Sequence, residues 1–198
     1  VLKVAAAQIS PVFLDRVRTT EKVVETIKRA AAEGAELVAF GETFLPAYPL
    51  WLTRTDAAQF DSEVQKELHA IYLKQSVSIA SGHLTPICNI ANECNITVVL
   101  GIAEKAADRG SHTVYCSCVF IDTDGRIASV HRKLMPTYEE RLSWGAGDGA
   151  GLITHSVGPF TVGALNCWEN WLPLARTALY AGGEDFHVAI WPGGSMLT

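Results

Sequence analysis

The sequence predicts an α/β protein in which amphipathic helices layer onto mixed β-sheet. Three observations lead there. Short apolar runs of strand length alternate with longer segments whose apolar residues recur at helical spacing. Those helical segments are apolar on one side only, so each can cover one sheet face. A hairpin signal in mid-chain sets antiparallel pairing beside strand–helix–strand units.

Leu2 to Ile9 is an apolar run apt for a buried strand. "RTTEKVVETIKRAAAEGAE" gathers Val23, Val24, Ile27, Ala30 and Ala31 on one helical face, and Gly34 ends it. Leu37 to Phe40 is a short strand. In "DSEVQKELHAIYLKQ", Val64, Leu68, Ile71 and Tyr72 share a helical face, and Ser62 with Gln65 has capping-box spacing. A further helix is expected from Thr85 to Asn95, then a strand at "ITVVLGIAE". "HTVYCSCVFIDTDGRIASVHRK" reads as two strands joined at Thr123-Asp124-Gly125. "FTVGALNC" is a strand. "LPLARTALYAG" is a helix with Pro173 near its start and Gly182 after its end. "FHVAIWP" is the last strand. No repeat or linker interrupts the chain, so residues 1–198 read as a single domain. The chain opens without Met and stops just after a strand-like run, so a fragment of a longer protein is expected.

Composition narrows the function. With 48% hydrophobic residues the chain can bury a sizeable core, and a net charge of −5 without a basic face argues against nucleic acid. No apolar run reaches the roughly 18–20 residues that span a bilayer. Five cysteines without a secretory leader fit a reduced, cytoplasmic setting better than a disulfide frame. Zinc at Cys116 and Cys118 with His83 or His112 is disfavoured, because "TVYCSCVFI" reads as a strand and no second ligand pair has finger spacing. Neither a metal nor an organic cofactor is expected. "GAGDGAG" (145–151) lacks the strand-to-helix context of a phosphate cradle and reads as a flexible surface loop.

Three stretches carry chemistry. Glu42 in "VAFGETFLPAYP" comes after the strand Leu37 to Phe40. Lys133 in "VHRKLMPTYEERLSWG" ends the second hairpin strand. Cys167 in "LNCWENWLPLAR" ends the strand "FTVGALNC". Taken singly, each has a plain reading: an exposed loop carboxylate, a charged strand edge, a core thiol. Together they place a thiol, a carboxylate and an ammonium at three strand ends, which can converge at one sheet edge. That set suits nucleophilic attack on a carbon bonded to nitrogen. The helix start at Pro173 also suggests a helix N-terminus near Cys167, which would lower the thiol pKa.

These segments, with the opening "KVAAAQISPVFLD", resemble the signature segments of the nitrilase branch of the carbon–nitrogen hydrolase superfamily. The resemblance implies an α–β–β–α sandwich, two sheets between outer helix layers, whose C-terminal part this chain would lack. It implies a catalytic Glu42–Lys133–Cys167 triad, with Glu140 helping to position substrate and water. It also implies homo-oligomers built from dimers, which in many members of that branch grow into spirals. "CWE" is similar to nitrilases and cyanide-degrading relatives, whereas amidases of the superfamily more often carry another aromatic and an aspartate. A nitrilase acting on a small organic nitrile and water is therefore the expected activity. Alternatives are an amidase or cyanide-degrading hydrolase with the same triad, or a non-catalytic interaction protein of this fold. An apolar pocket is expected, with Trp168, Trp191, Tyr48 and Tyr138 as substrate-binding candidates and Trp51 as a weaker one. Glu169 is expected to orient its surroundings through hydrogen bonds; Arg141 and His131 read as structural.

Overall fold

In the computed structural model, which describes residues 1–107, 110 and 112–193, eight strands form two sheets. The larger has the order β1 (Val4–Ala7), β2 (Leu37–Phe40), β3 (Thr97–Lys105), β4 (Val114–Ile121), β5 (Ile127–Arg132). Its first three strands are parallel and its last three antiparallel. The smaller contains β6 (His155–Val157), β7 (Phe160–Asn166) and β8 (Phe186–Ile190), with β7 and β8 parallel. The helices are α1 (Arg16–Ala32), α2 (Glu63–Gln75), α3 (Thr85–Glu93) and α4 (Pro173–Ala181).

Strand alternation builds the layers. Val98, Leu100 and Ile102 of β3 join Val119 and Ile121 of β4 beneath Val23 and Ile27 of α1 and Ile87 and Ile90 of α3. The opposite faces, through Val99, Cys118 and Phe120, meet Val162, Val188 and Ile190 of the smaller sheet. Beyond that sheet, Ala175 and Leu179 of α4 cover Leu165. The order is helix, sheet, sheet, helix, as the resemblance implies. Asp15 caps α1 by accepting from Arg18 N–H (3.0 Å), and Gly34, at φ 83°, takes the left-handed turn that closes it. No helix among the described residues is long and apolar enough to cross a membrane.

Four local expectations are corrected. β1 is not buried: it lies at the sheet edge, and its residues are exposed or half-buried. The Ser62–Gln65 capping box does not form; Gln65 Nε2 instead donates to the carbonyl and hydroxyl oxygens of Thr55. On α2 only Tyr72 is buried, while Val64 and Ile71 are exposed, because α2 touches the core along a narrow stripe. Lastly, the glycine-rich loop is packed rather than free. A β-carbon on Gly147 would lie 2.2 Å from Arg132 O, and one on Gly151 would lie 2.4 Å from His131 Cα, so both glycines permit close approach to β5.

Candidate active site

Three strand ends meet at the carboxyl edge of the sandwich. Glu42 lies two residues beyond β2, where its N–H donates to the carbonyl of Trp191, just past β8 (3.2 Å). Beneath it runs Gly101 of β3: a β-carbon there would lie 2.7 Å from Glu42 Cα and 2.2 Å from Gly41 O. Only a glycine lets the Glu42 turn settle this low on the sheet. Lys133 comes directly after β5. Its N–H donates to Cys116 O (2.8 Å), and its carbonyl accepts from Gly147 N–H (2.9 Å), so the glycine-rich loop helps pin it. Cys167 comes after β7 and opens a 3-10 turn, Cys167–Trp171, with φ 48°, in the left-handed region where non-glycine residues are strained.

The side chains close the arrangement. Lys133 Nζ donates to Glu42 Oε1 and to Glu140 Oε2, each at 2.8 Å, and the ammonium and the Glu42 carboxylate are wholly buried. Glu140 sits in the 3-10 turn Tyr138–Leu142. There Thr137 N–H donates to its Oε2 (2.6 Å) and Tyr48 Oη donates to its Oε1 (2.8 Å). Carboxylate oxygens of Glu42 and Glu140 and the Cys167 Sγ all lie within 4.8 Å of one another. By spacing, those three groups could hold a metal ion. The Lys133 ammonium, bonded to both carboxylates, already supplies the cation there, so an added metal would face a fixed positive charge. Glu42 Oε2 is buried and has no hydrogen-bond partner among the described residues, leaving a strong acceptor available at the site.

Behind the lysine is an aromatic floor. The Trp144 ring centroid lies 5.7 Å from Lys133 Nζ, and its Nε1 donates to Tyr72 Oη (3.1 Å). Tyr72 in turn packs edge-on against buried Trp51. A third buried carboxylate ties the lysine loop to the cysteine turn. Glu169 accepts from Leu134 N–H (2.8 Å) and pairs with His131 Nε2 (2.9 Å).

Burial sets the protonation. Desolvation pushes the Glu42 carboxyl up to about 7, because the Lys133 ammonium offsets only part of it and Glu140 adds repulsion. Desolvation alone would lower the Lys133 ammonium, but the Glu42 and Glu140 carboxylates bonded to it act the other way, and the pKa is raised. The Cys167 thiol is pushed up to about 12, first by burial and then by Glu42. Lys133 and the Trp168 N–H oppose that shift without cancelling it. This corrects the expectation of a lowered thiol pKa: Cys167 opens only a short 3-10 turn, and α4 begins as late as Pro173. The resting thiol is therefore neutral.

The candidates predicted from sequence separate clearly. Glu42, Lys133, Glu140, Cys167 and Tyr48 come together. Trp191 reaches the site through its backbone carbonyl, while its ring is 39% exposed and meets Trp171 edge-on. Trp168 is 44% exposed and leans on Trp171, with its backbone N–H directed at Cys167. Tyr138 does not join the cluster; it is 74% exposed at the start of its turn. One group at the site was not anticipated. Cys116 Sγ donates to Glu42 Oε1 (3.2 Å) from a fully buried place on β4. Strand alternation puts Cys116 and Cys118 on one face, but only the β4–β5 register reveals that Cys116 lies beside Lys133.

A helix–sheet–sheet–helix sandwich with a thiol, two carboxylates and an ammonium at its strand ends is the architecture inferred for the carbon–nitrogen hydrolases. Residues 3–198 match that family, described as carbon-nitrogen hydrolase, and the chain belongs to it. An aliphatic nitrilase of Rhodococcus rhodochrous is 39% identical over 98% of this chain and 51% of its own length. A nitrilase of Pseudomonas syringae pv. syringae is 39% identical over 98% of this chain and 55% of its own length. The chain thus spans about half the length of the curated relatives it matches. Among solved structures, an amidase from Nesterenkonia sp. superposes with a TM-score of 0.72 at 18% identity, covering 98% of this chain and 66% of that one. This likeness concerns the fold.

Proposed function

We propose that the protein to which this chain belongs is a nitrilase, converting an organic nitrile and two waters into a carboxylic acid and ammonia through a covalent cysteine intermediate. The observation that carries the reading is the buried Lys133 ammonium bonded to two carboxylates within reach of the Cys167 thiol. The nitrilase names of relatives at 39% identity support the substrate class. The same reading takes residues 1–198 as part of one hydrolase domain, acting in the cytoplasm and assembling into homo-oligomers.

In this mechanism Cys167 Sγ bonds to the nitrile carbon while its proton passes to Glu42 and on to nitrogen, giving a thioimidate. Proton transfer accompanies attack, because a thiol at about 12 does not ionise beforehand in the presence of a carboxyl at about 7. Water then adds to the thioimidate carbon. Lys133 and the Trp168 N–H stabilise the charge of the tetrahedral species. Ammonia leaves, and a thioester remains. A second water, deprotonated by Glu42 and oriented by Glu140, releases the acid and restores the thiol. Tyr48 holds Glu140 through its hydroxyl.

The test is incubation of the full-length protein with a nitrile and, separately, with the matching amide. Acid, ammonia and protein mass are monitored. Acid and ammonia from the nitrile, with a transient adduct on Cys167, are expected. Turnover of the amide alone would move the assignment to an amidase, and no turnover of either would overturn the hydrolase reading.

The rate should also depend on pH with a definite sign. Glu42 must be ionised to accept the thiol proton, so kcat/KM should rise with pH through about 7. A profile flat over about two pH units centred there would exclude Glu42 as the base.

A further inference from the structure

The strained backbone of Cys167 needs neighbours that hold it, and Asn170 is one of them. Asn170 Nδ2 donates to the carbonyls of Cys167 (2.7 Å) and Leu165 (3.2 Å). Both partners only accept, so the amide oxygen must face the other way, where it meets His187 Nε2 at 2.7 Å. An amide oxygen cannot donate. His187 therefore carries a proton on Nε2 and gives it to Asn170. The other ring nitrogen, Nδ1, lies 2.5 Å from Glu184 Oε1. Two acceptors cannot bond, so a second proton lies between them. The Glu184 side chain is only 2% exposed and sits over Gly163 of β7. A β-carbon there would come within 2.2 Å of its Oε1, so β7 carries a glycine where this carboxylate needs room.

We propose that Asn170 is a positioning residue for Cys167, and that the His187–Glu184 pair fixes which way its amide faces. With the amide turned round, its oxygen would oppose two carbonyl oxygens and the turn carrying the thiol would loosen. His187, donating to the amide oxygen, excludes that orientation. The proposal rests on the reading of Cys167 as nucleophile.

The test uses the full-length protein with Asn170→Ala, His187→Leu, His187→Gln and, as reference, Cys167→Ala. It measures kcat, KM and the rate at which iodoacetamide alkylates Cys167. Asn170→Ala and His187→Leu should lower kcat by about 100-fold, the scale of an ångström-sized misplacement, with KM little changed and alkylation altered. His187→Gln, whose side-chain amide can donate to Asn170, should recover most of the rate. Wild-type kcat in Asn170→Ala and His187→Leu, or equal loss in the two His187 variants, would overturn the positioning role. Should Asn170→Ala fail to fold, the His187 pair decides alone. Turnover surviving in Cys167→Ala would instead overturn the nucleophile reading, and this proposal with it.

Discussion

Cys167→Ala is expected to abolish release of ammonia and acid from a nitrile, and to remove the mass adduct, while the protein remains folded. The sulfur is the only heavy atom lost. Alanine keeps the same β-carbon at φ 48°, so the backbone strain is unchanged. The void left by one buried sulfur should cost about 1 kcal/mol, within the usual range for a small core truncation. Thermal unfolding would therefore change little beside a complete loss of turnover. The neighbouring thiol does not substitute: Cys116 is fully buried on β4, and its pKa is raised well above the ordinary thiol value, chiefly by burial. Any nitrile turnover retained by a folded Cys167→Ala protein would refute covalent catalysis at this residue.

Lys133→Ala is expected to damage both rate and stability. The ammonium is wholly buried and is bonded to both carboxylates, whose oxygens lie within 4.8 Å of each other. Its removal leaves two acids in a dry site with no cation between them. Breaking a buried pair in this way costs about 3–5 kcal/mol. The sign with pH is set by proton binding. In the wild type, Glu42 already holds its proton up to about 7, above its unfolded value. Loss of the cation raises that carboxyl further, so the folded variant binds more protons than the folded wild type. The variant should lose stability relative to wild type as pH rises through and above about 7, and the gap should narrow on acidification. Denaturant unfolding at several pH values measures this. Turnover should fall by about 100- to 1,000-fold, the scale for losing a group that stabilises developing charge. An unchanged rate would remove Lys133 from the chemistry, and a gap that widened on acidification would contradict the protonation scheme.

Protonation explains why the pairing is set as it is. Two carboxylates and one ammonium in a desolvated site leave one negative charge in excess, and Glu42 answers by titrating near neutrality. A base poised there can take a thiol proton and later give it up. The thiol hydrogen bond from Cys116 to Glu42 acts in the opposite sense to burial, favouring the carboxylate. Cys116 thus belongs to the proton balance of the site.

What the amino-acid sequence determined by itself is local and periodic. Short apolar runs define β3, β4 and β7, helical spacing defines α1, and Asp124-Gly125 marks the hairpin turn, because each depends on neighbours a few residues away. Glu42, Lys133 and Cys167 were readable as residues at or just past the ends of predicted strands, whereas their grouping as a triad and the place of Glu140 rested on the resemblance of the signature segments to the nitrilase branch. Tertiary structure alone decided the rest. Tyr48 is 92 residues from the Glu140 it orients, and Cys116 is 74 residues from the Glu42 to which it donates. Neither pairing leaves a trace in spacing. The direction of the Cys167 pKa shift was also invisible, since burial is a property of the assembled sandwich and outweighed the local cue from Pro173. Sheet register finally carried these distant groups into one dry volume, where desolvation and charge act on them together.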